Sequence, residues 1–152
     1  MKVIIGSDHA GYLMKEELER VLGEWRHEVE DVGAHSTEST DYPDFAERLA
    51  ERVLAEPGAL GVLVCGTGIG ISIAANKIPG IRAARCDEPF SARKAREHND
   101  ANVLCMGERV IGVGVAVETM RAFLETPFAG GRHQRRVDKI GELERKALLR
   151  RE

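Results

Sequence analysis

Short apolar runs alternate with amphipathic stretches five times along the chain, and this alternation limits the fold more than any other feature. Val3-Ile4-Ile5 reads as a first strand, followed by a helix from about Ala10 to Leu22 with Leu13, Leu18, Val21 and Leu22 on one side. Glu28 to Val32 alternates as a second strand, and Gly33 to Tyr42 is a polar loop rich in Ser and Thr. Pro43 suits the first turn of a second helix, which runs to about Glu56 and stops at Pro57-Gly58. Gly61 to Val64 is a third strand, and a glycine-rich loop leads from it into a helix over Ile71 to Lys77. Ile81 to Cys86 and Asn102 to Met106 are strands four and five, each followed by a helix, from Pro89 to about Glu97 and from about Gly114 to Leu124. Strand alternating with helix requires crossover connections, so the expected architecture is α/β, a five-stranded parallel sheet with helices on both faces.

The 152 residues fit one domain spanning 1–152. A net charge of −3 argues against general nucleic-acid binding. No apolar stretch approaches the roughly 20 residues that span a bilayer, and Met1-Lys2-Val3 enters a strand directly rather than a signal segment. Cys65, Cys86 and Cys105 are too few and too spread for a disulfide framework, and none lies at C-x-x-C spacing, so no metal site is expected. A reducing cytoplasm is the expected location.

Ligands of open parallel sheets bind beyond the carboxyl ends of the strands. The polar residues there are Ser7, Asp8 and His9, then Cys65 and Thr67, then Asp87. Cys65 ends its strand and opens Gly66-Thr67-Gly68-Ile69-Gly70, a loop rich in backbone N–H groups that leads into a helix. Such a loop can hold an anion, and a thiol beside a helix start can have its pKa lowered from about 8.5 toward 7 or below. The third glycine comes one residue too early for the dinucleotide fingerprint, no Gly-Lys-Ser/Thr follows, and no Arg closes a cysteine-phosphatase loop. From the loop alone, Cys65 reads equally as an inert residue ending a buried strand. Asp8 reads as a helix cap and His9 as a first-turn residue. His98-Asn99-Asp100 precedes strand five, where it serves either as a helix end and turn or as an acid–base group; the strand-end rule does not place it beside Cys65. His27, His35 and His133 read as surface residues and Trp25 as a packing residue.

The tail departs from the pattern. After Gly130-Gly131 comes the basic run Arg132 to Arg136, and Val137, Ile140, Leu143, Ala147 and Leu148 mark one face of a final helix that follows no strand. The glycine pair lets this arm, residues 130–152, reach toward a second subunit. Arg132 and Arg136 share a helical face and suit a phosphate, as does Arg109; a solvated basic face is the alternative.

Together Gly6 to Gly11, Thr40 to Pro43, Cys65 to Lys77, His98 to Leu104 and Gly130 to Arg136 resemble the ribose-5-phosphate isomerase B family, which also holds galactose-6-phosphate isomerase subunits. The motifs fall in order from Met1 to about Arg145. The resemblance implies a three-layer Rossmann-like α/β/α sandwich with an extra C-terminal helix. It implies an aldose–ketose isomerase for ribose 5-phosphate and ribulose 5-phosphate, with no metal or organic cofactor. The family forms homodimers, in some members tetramers, with each site shared by two subunits. It implies Cys65 as the base, His98 as the ring-opening acid–base group, and Thr67 with the amides of Gly66, Gly68, Ile69 and Gly70 around the enediolate. Asp8 lies near the ring oxygen, Tyr42 is a further candidate, and His9, Asn99, Arg109, Arg132 and Arg136 hold the substrate and its phosphate. The same chemistry on a six-carbon sugar phosphate or a tetrulose phosphate, and a non-catalytic sugar-phosphate-binding module, are the alternatives.

Overall fold

Side chains alternate across every central strand, and in the computed structural model, which describes residues 1–151, the two sets build two separate cores. Val3, Ile5, Val62, Val64, Leu104 and Met106 face one core; Ile4, Leu63, Cys65, Val103 and Cys105 face the other. The strands are β1 (Lys2–Ser7), β2 (Glu28–Asp31), β3 (Leu60–Cys65), β4 (Ala83–Arg85) and β5 (Val103–Gly107). All pair in parallel, in the order β2-β1-β3-β5-β4. The helices are α1 (Tyr12–Glu24), α2 (Tyr42–Ala55), α3 (Ile69–Ala75), α4 (Pro89–Asn99), α5 (Val113–Glu125) and α6 (Arg132–Leu149). Helices α1, α4 and α5 cover one face, and α2 and α3 the other. The expected three layers are present.

Every residue of β3 and β5 is buried, which explains why both strands read as near-continuous apolar runs. Each large aliphatic side chain so buried stabilises the fold by about 1.5–3 kcal/mol. The loop at Cys65 therefore springs from the most firmly packed part of the molecule.

Local chemistry moves three boundaries. Asp8 Oδ1 accepts from the backbone N–H groups of Ala10 and Gly11, making a short 3-10 turn (His9–Gly11), so α1 starts at Tyr12 rather than Ala10. Helix α3 starts at Ile69, earlier than the apolar pattern implies, because Gly68 turns the chain at φ 77°. Strand β4 is shorter than the run from Ile81 to Cys86. It is an edge strand paired only with β5, and the Asn102 side chain takes the N–H of Arg82 at 2.8 Å.

Helix α6 touches its own chain at three places. Val137 is buried, His133 meets α4, and the Glu144 carboxylate accepts from the N–H of Gly80 at 3.1 Å. Leu143 and Leu149 nevertheless stay 66% exposed. Among the described residues no helix is long and apolar enough to cross a membrane.

Candidate active site

Parallel pairing puts all strand ends of one kind at one pole, and at the carboxyl pole the structure gathers Asp8, His9, Tyr42, Cys65, Thr67 and Arg109. Cys65 is 4% exposed, and its Sγ accepts from the N–H of Gly68 at 3.1 Å. The bond closes a tight loop that needs Gly68: φ is 77°, and a Cβ there would lie 2.8 Å from the Met106 carbonyl carbon. Thr67 Oγ1 accepts from the N–H of Ile69 at 3.2 Å, and the Tyr42 ring lies against Gly70. Arg109 donates its backbone N–H to the Gly66 carbonyl at 3.0 Å and runs its guanidinium alongside Gly66.

Asp8 does the cap's work with Oδ1. His9 is held by the polar loop. Its backbone N–H donates to Thr40 Oγ1 at 3.0 Å, and the N–H of Thr40 donates to His9 Nδ1 at 3.0 Å. Nδ1 is thus an acceptor, and the neutral ring carries its proton on Nε2. Behind the loop, buried Lys15 bonds Glu16 at 2.9 Å and Asp31 at 2.5 Å, and Asp31 also accepts from the N–H of Gly33 at 2.8 Å. Desolvation opposes the Lys15 charge, but the bonds to Asp31 and Glu16 outweigh it and hold its pKa above the ordinary value. Burial, then the bond and charge of Asp31, push Glu19 up to about 7. Glu16, Glu19 and Asp31 are the three-acid convergence among the described residues, and the cation at it is the chain's own Lys15.

His98, Asn99, Arg132 and Arg136 lie elsewhere. Helix α4 ends at Asn99, before β5 begins, so its last turn sits at the amino pole of the sheet. Cys65 pairs in register with Gly107 and Gly61 with Val103, so four residue steps, about 13 Å of strand, separate the poles. His98 lies beyond the far end of that span. There Asp100, at φ 45°, ends α4 and ties to Arg96 at 3.0 Å and Arg82 at 3.3 Å. The N–H of Ala129 donates to the Glu97 carbonyl at 3.1 Å and docks the start of α6 beside it. Arg132 and Arg136 occupy that first turn on an exposed face.

His133, expected at the surface, is half-buried and stacks on His98, ring centroids 4.1 Å apart and planes 13° apart. Desolvation, then the charges of His98, Arg132 and Arg136, lower the His133 pKa and so favour its neutral form. Thr40 belongs to the polar loop and to the Thr40–Pro43 motif, but neither gives it a role; its 31-residue separation from His9 hides the pairing from local patterns. His27 is half-buried and His35 exposed, and Trp25 packs on the larger core.

Burial pushes the Cys86 thiol up to about 11, with the charges of Glu88 and Asp87 adding to it, and burial raises Cys105 further. Neither is a thiolate at neutral pH. Two cavities, of about 600 and 670 Å³, lie toward the amino pole, and neither is lined by Cys65, Thr67 or His9.

Matches to known proteins run through both poles. The ribose/galactose isomerase family model matches residues 3–140. The chain is 47% identical to ribose-5-phosphate isomerase B of Escherichia coli K12 over 145 residues, 95% of this chain and 97% of that one. The structure of Clostridium thermocellum ribose-5-phosphate isomerase B superposes with a TM-score of 0.95 at 52% identity, over 97% of this chain and 99% of that one. That of Mycoplasma genitalium ribose-5-phosphate isomerase B with bound ribulose-5-phosphate gives 0.90 at 38% identity, over 95% and 96%. Agreement over nearly the whole length, in sequence and in backbone, places this chain in the ribose/galactose isomerase family.

Proposed function

We propose that the chain interconverts ribose 5-phosphate and ribulose 5-phosphate at a site completed by two copies. The observation that carries this is the Cys65 thiol at the end of β3, bonded by Gly68 N–H at the mouth of a glycine-rich loop. A base at that position takes the C2 proton of the open-chain aldose. The electron pair moves into a C1–C2 double bond, leaving an enediolate with negative charge on oxygen. The N–H groups of Gly66, Thr67 and Gly70 and the Thr67 hydroxyl suit that charge, whereas those of Gly68 and Ile69 are taken by Cys65 Sγ and Thr67 Oγ1; one such donor is worth roughly 3 kcal/mol in other enzymes. Return of the proton to C1, with loss of the C2 hydroxyl proton and gain of one at O1, gives the ketose.

The sugar enters mostly as a closed ring. His98 opens it, and a second copy's His98 is the one that serves a given Cys65, because within one chain the two lie at opposite poles. The same second copy brings Asn99, Arg132 and Arg136 to meet His9, Asp8, Tyr42 and Arg109. Exposed apolar residues on α6, Leu143 and Leu149 among them, supply surface for the contact.

Isomerase assays on purified, chelator-treated protein test the reading, with ribose 5-phosphate set against allose 6-phosphate, galactose 6-phosphate and erythrulose 4-phosphate. Preference for ribose 5-phosphate is expected. Activity confined to another of these sugars keeps the Cys65 chemistry and changes the substrate. No activity on any of them overturns the enzyme reading in favour of a binding module.

A further inference from the structure

The carbonyl of Thr67 and the N–H of Gly68 belong to one peptide unit. Its N–H end donates to Cys65 Sγ at 3.1 Å, and its carbonyl end accepts from Arg85 Nε at 2.8 Å. We propose that Arg85 is a positioning residue for Cys65: it grips and polarises the Thr67–Gly68 peptide, and so makes the Gly68 N–H a stronger donor to the Cys65 thiolate. The proposal rests on Cys65 acting as the base, as above.

The fold explains how Arg85 reaches. It is the last residue of β4, and β5 lies between β4 and β3 in the sheet. The loop after Cys65 crosses the end of β5 at Gly107, where a Cβ would lie 2.5 Å from the Thr67 carbonyl carbon. With no side chain there, the Thr67 backbone drops over the strand end and presents its carbonyl to β4. The guanidinium is fixed at two points along its fork. Nε takes the Thr67 carbonyl, and Nη1 takes Asp87 Oδ2 at 2.9 Å. Asp87 Oδ1 is buried with no hydrogen-bond partner among the described residues, so Arg85 is the group that holds this carboxylate.

The physical effect has a clear direction. A bond from a cation to a carbonyl is roughly twice as strong as one from a neutral donor. An amide whose carbonyl is so engaged donates more strongly from its N–H end, by roughly 10–30% per bond. A stronger donor favours the charged sulfur over the neutral thiol. Arg85 makes no hydrogen bond to the sulfur among the described residues, and acts through the Thr67–Gly68 peptide.

The test follows Cys65 thiolate formation by ultraviolet absorbance as pH is raised, in the full chain without substrate, taken as the difference from the Cys65→Ser form. In Arg85→Met the midpoint moves to higher pH by about 0.1 to 0.7 of a unit. In Arg85→Lys, which keeps the charge but loses the fork, it moves by less. Should Arg85→Met fail to fold, Arg85→Gln carries the same measurement. An unmoved midpoint overturns the proposal, and so does a lowered melting temperature with the midpoint unmoved, which would make Arg85 a loop brace only. Because no substrate is used, the titration reports on Arg85 even if the chain isomerises none of the sugars above; that separate failure would remove the isomerase reading and leave the peptide relay measured.

Discussion

The two poles of the sheet are built differently. At the carboxyl pole, candidate groups sit on turns that leave buried strands and are locked by backbone bonds: Gly68 to Cys65, Thr40 to His9, and Gly66 to Arg109. At the amino pole they sit on helix ends, His98 and Asn99 on α4 and Arg132, His133 and Arg136 on α6, held by part-exposed ion pairs and one ring stack. The first pole is preorganised within one chain. The second presents its groups outward, away from Cys65, as a surface offered to a neighbour would. A sheet of parallel strands cannot bring a helix end that precedes a strand to the same pole as the turn that follows one. A site drawing on both needs two copies.

The largest expected effect breaks this comparison if it fails. Cys65→Ala and His98→Asn each lose isomerisation by at least a hundredfold, the scale for removing a general acid or base. Mixed and allowed to exchange subunits, the two inactive forms recover activity, reaching about a quarter of the wild-type rate in a statistical mixture of dimers. In such a mixed dimer one site holds both lesions and the other none. No recovery despite proven exchange would put both residues in the service of one chain's site.

A moderate effect sharpens the carboxyl pole. Thr40→Val keeps the N–H that bonds His9 Nδ1 but removes the hydroxyl that accepts from the His9 backbone. The loss of about 1 kcal/mol of positioning raises KM for ribose 5-phosphate roughly fivefold and leaves kcat within about twofold. Steady-state kinetics of Thr40→Val beside Thr40→Ser, which restores the hydroxyl, check it. Equal loss in both variants would detach Thr40 from His9.

The last effect leaves activity aside, is read in stability, and concerns the anchor behind the polar loop. Glu19 has its pKa raised from 4.5 to about 7 by burial and by the bond and charge of Asp31. The folded protein therefore keeps a proton that the unfolded chain releases, and this group's contribution weakens as pH rises from about 4.5 to about 7. Glu19→Gln cannot ionise, so its melting temperature falls less than that of wild type across the same window. Parallel thermal scans of the two proteins, with no divergence through that range, would remove Glu19 as the source.

Much of the molecule was legible from one-dimensional pattern. Val3, Ile5, Val62, Val64, Leu104 and Met106 announce buried strands by composition alone, and Pro43 and Pro89 mark helix starts by the chemistry of the missing N–H. Asp8 as a cap and the Cys65 loop at a strand end follow from local rules, since a turn and its flanking strand are neighbours in the chain. Three features escaped. The Thr40 bond to His9 spans 31 residues, the Arg85 bond to Thr67 spans 18, and the His133 stack on His98 joins two helix ends. None leaves a periodic trace.

The sequence by itself determined the layers and the order of elements, because hydrophobic periodicity and turn chemistry act over a few neighbouring residues; it left Tyr42, Ile69, Gly70, His98 and Asn99 just outside the helices that carry them. The strand-end rule already groups Asp8, His9 and Cys65. Only the tertiary structure added Arg109 and Thr40 to that pole and put His98 with His133 and the start of α6 at the other. The physical reason is strand direction: parallel pairing aligns every carboxyl end, and that alignment depends on contacts between segments far apart in the chain.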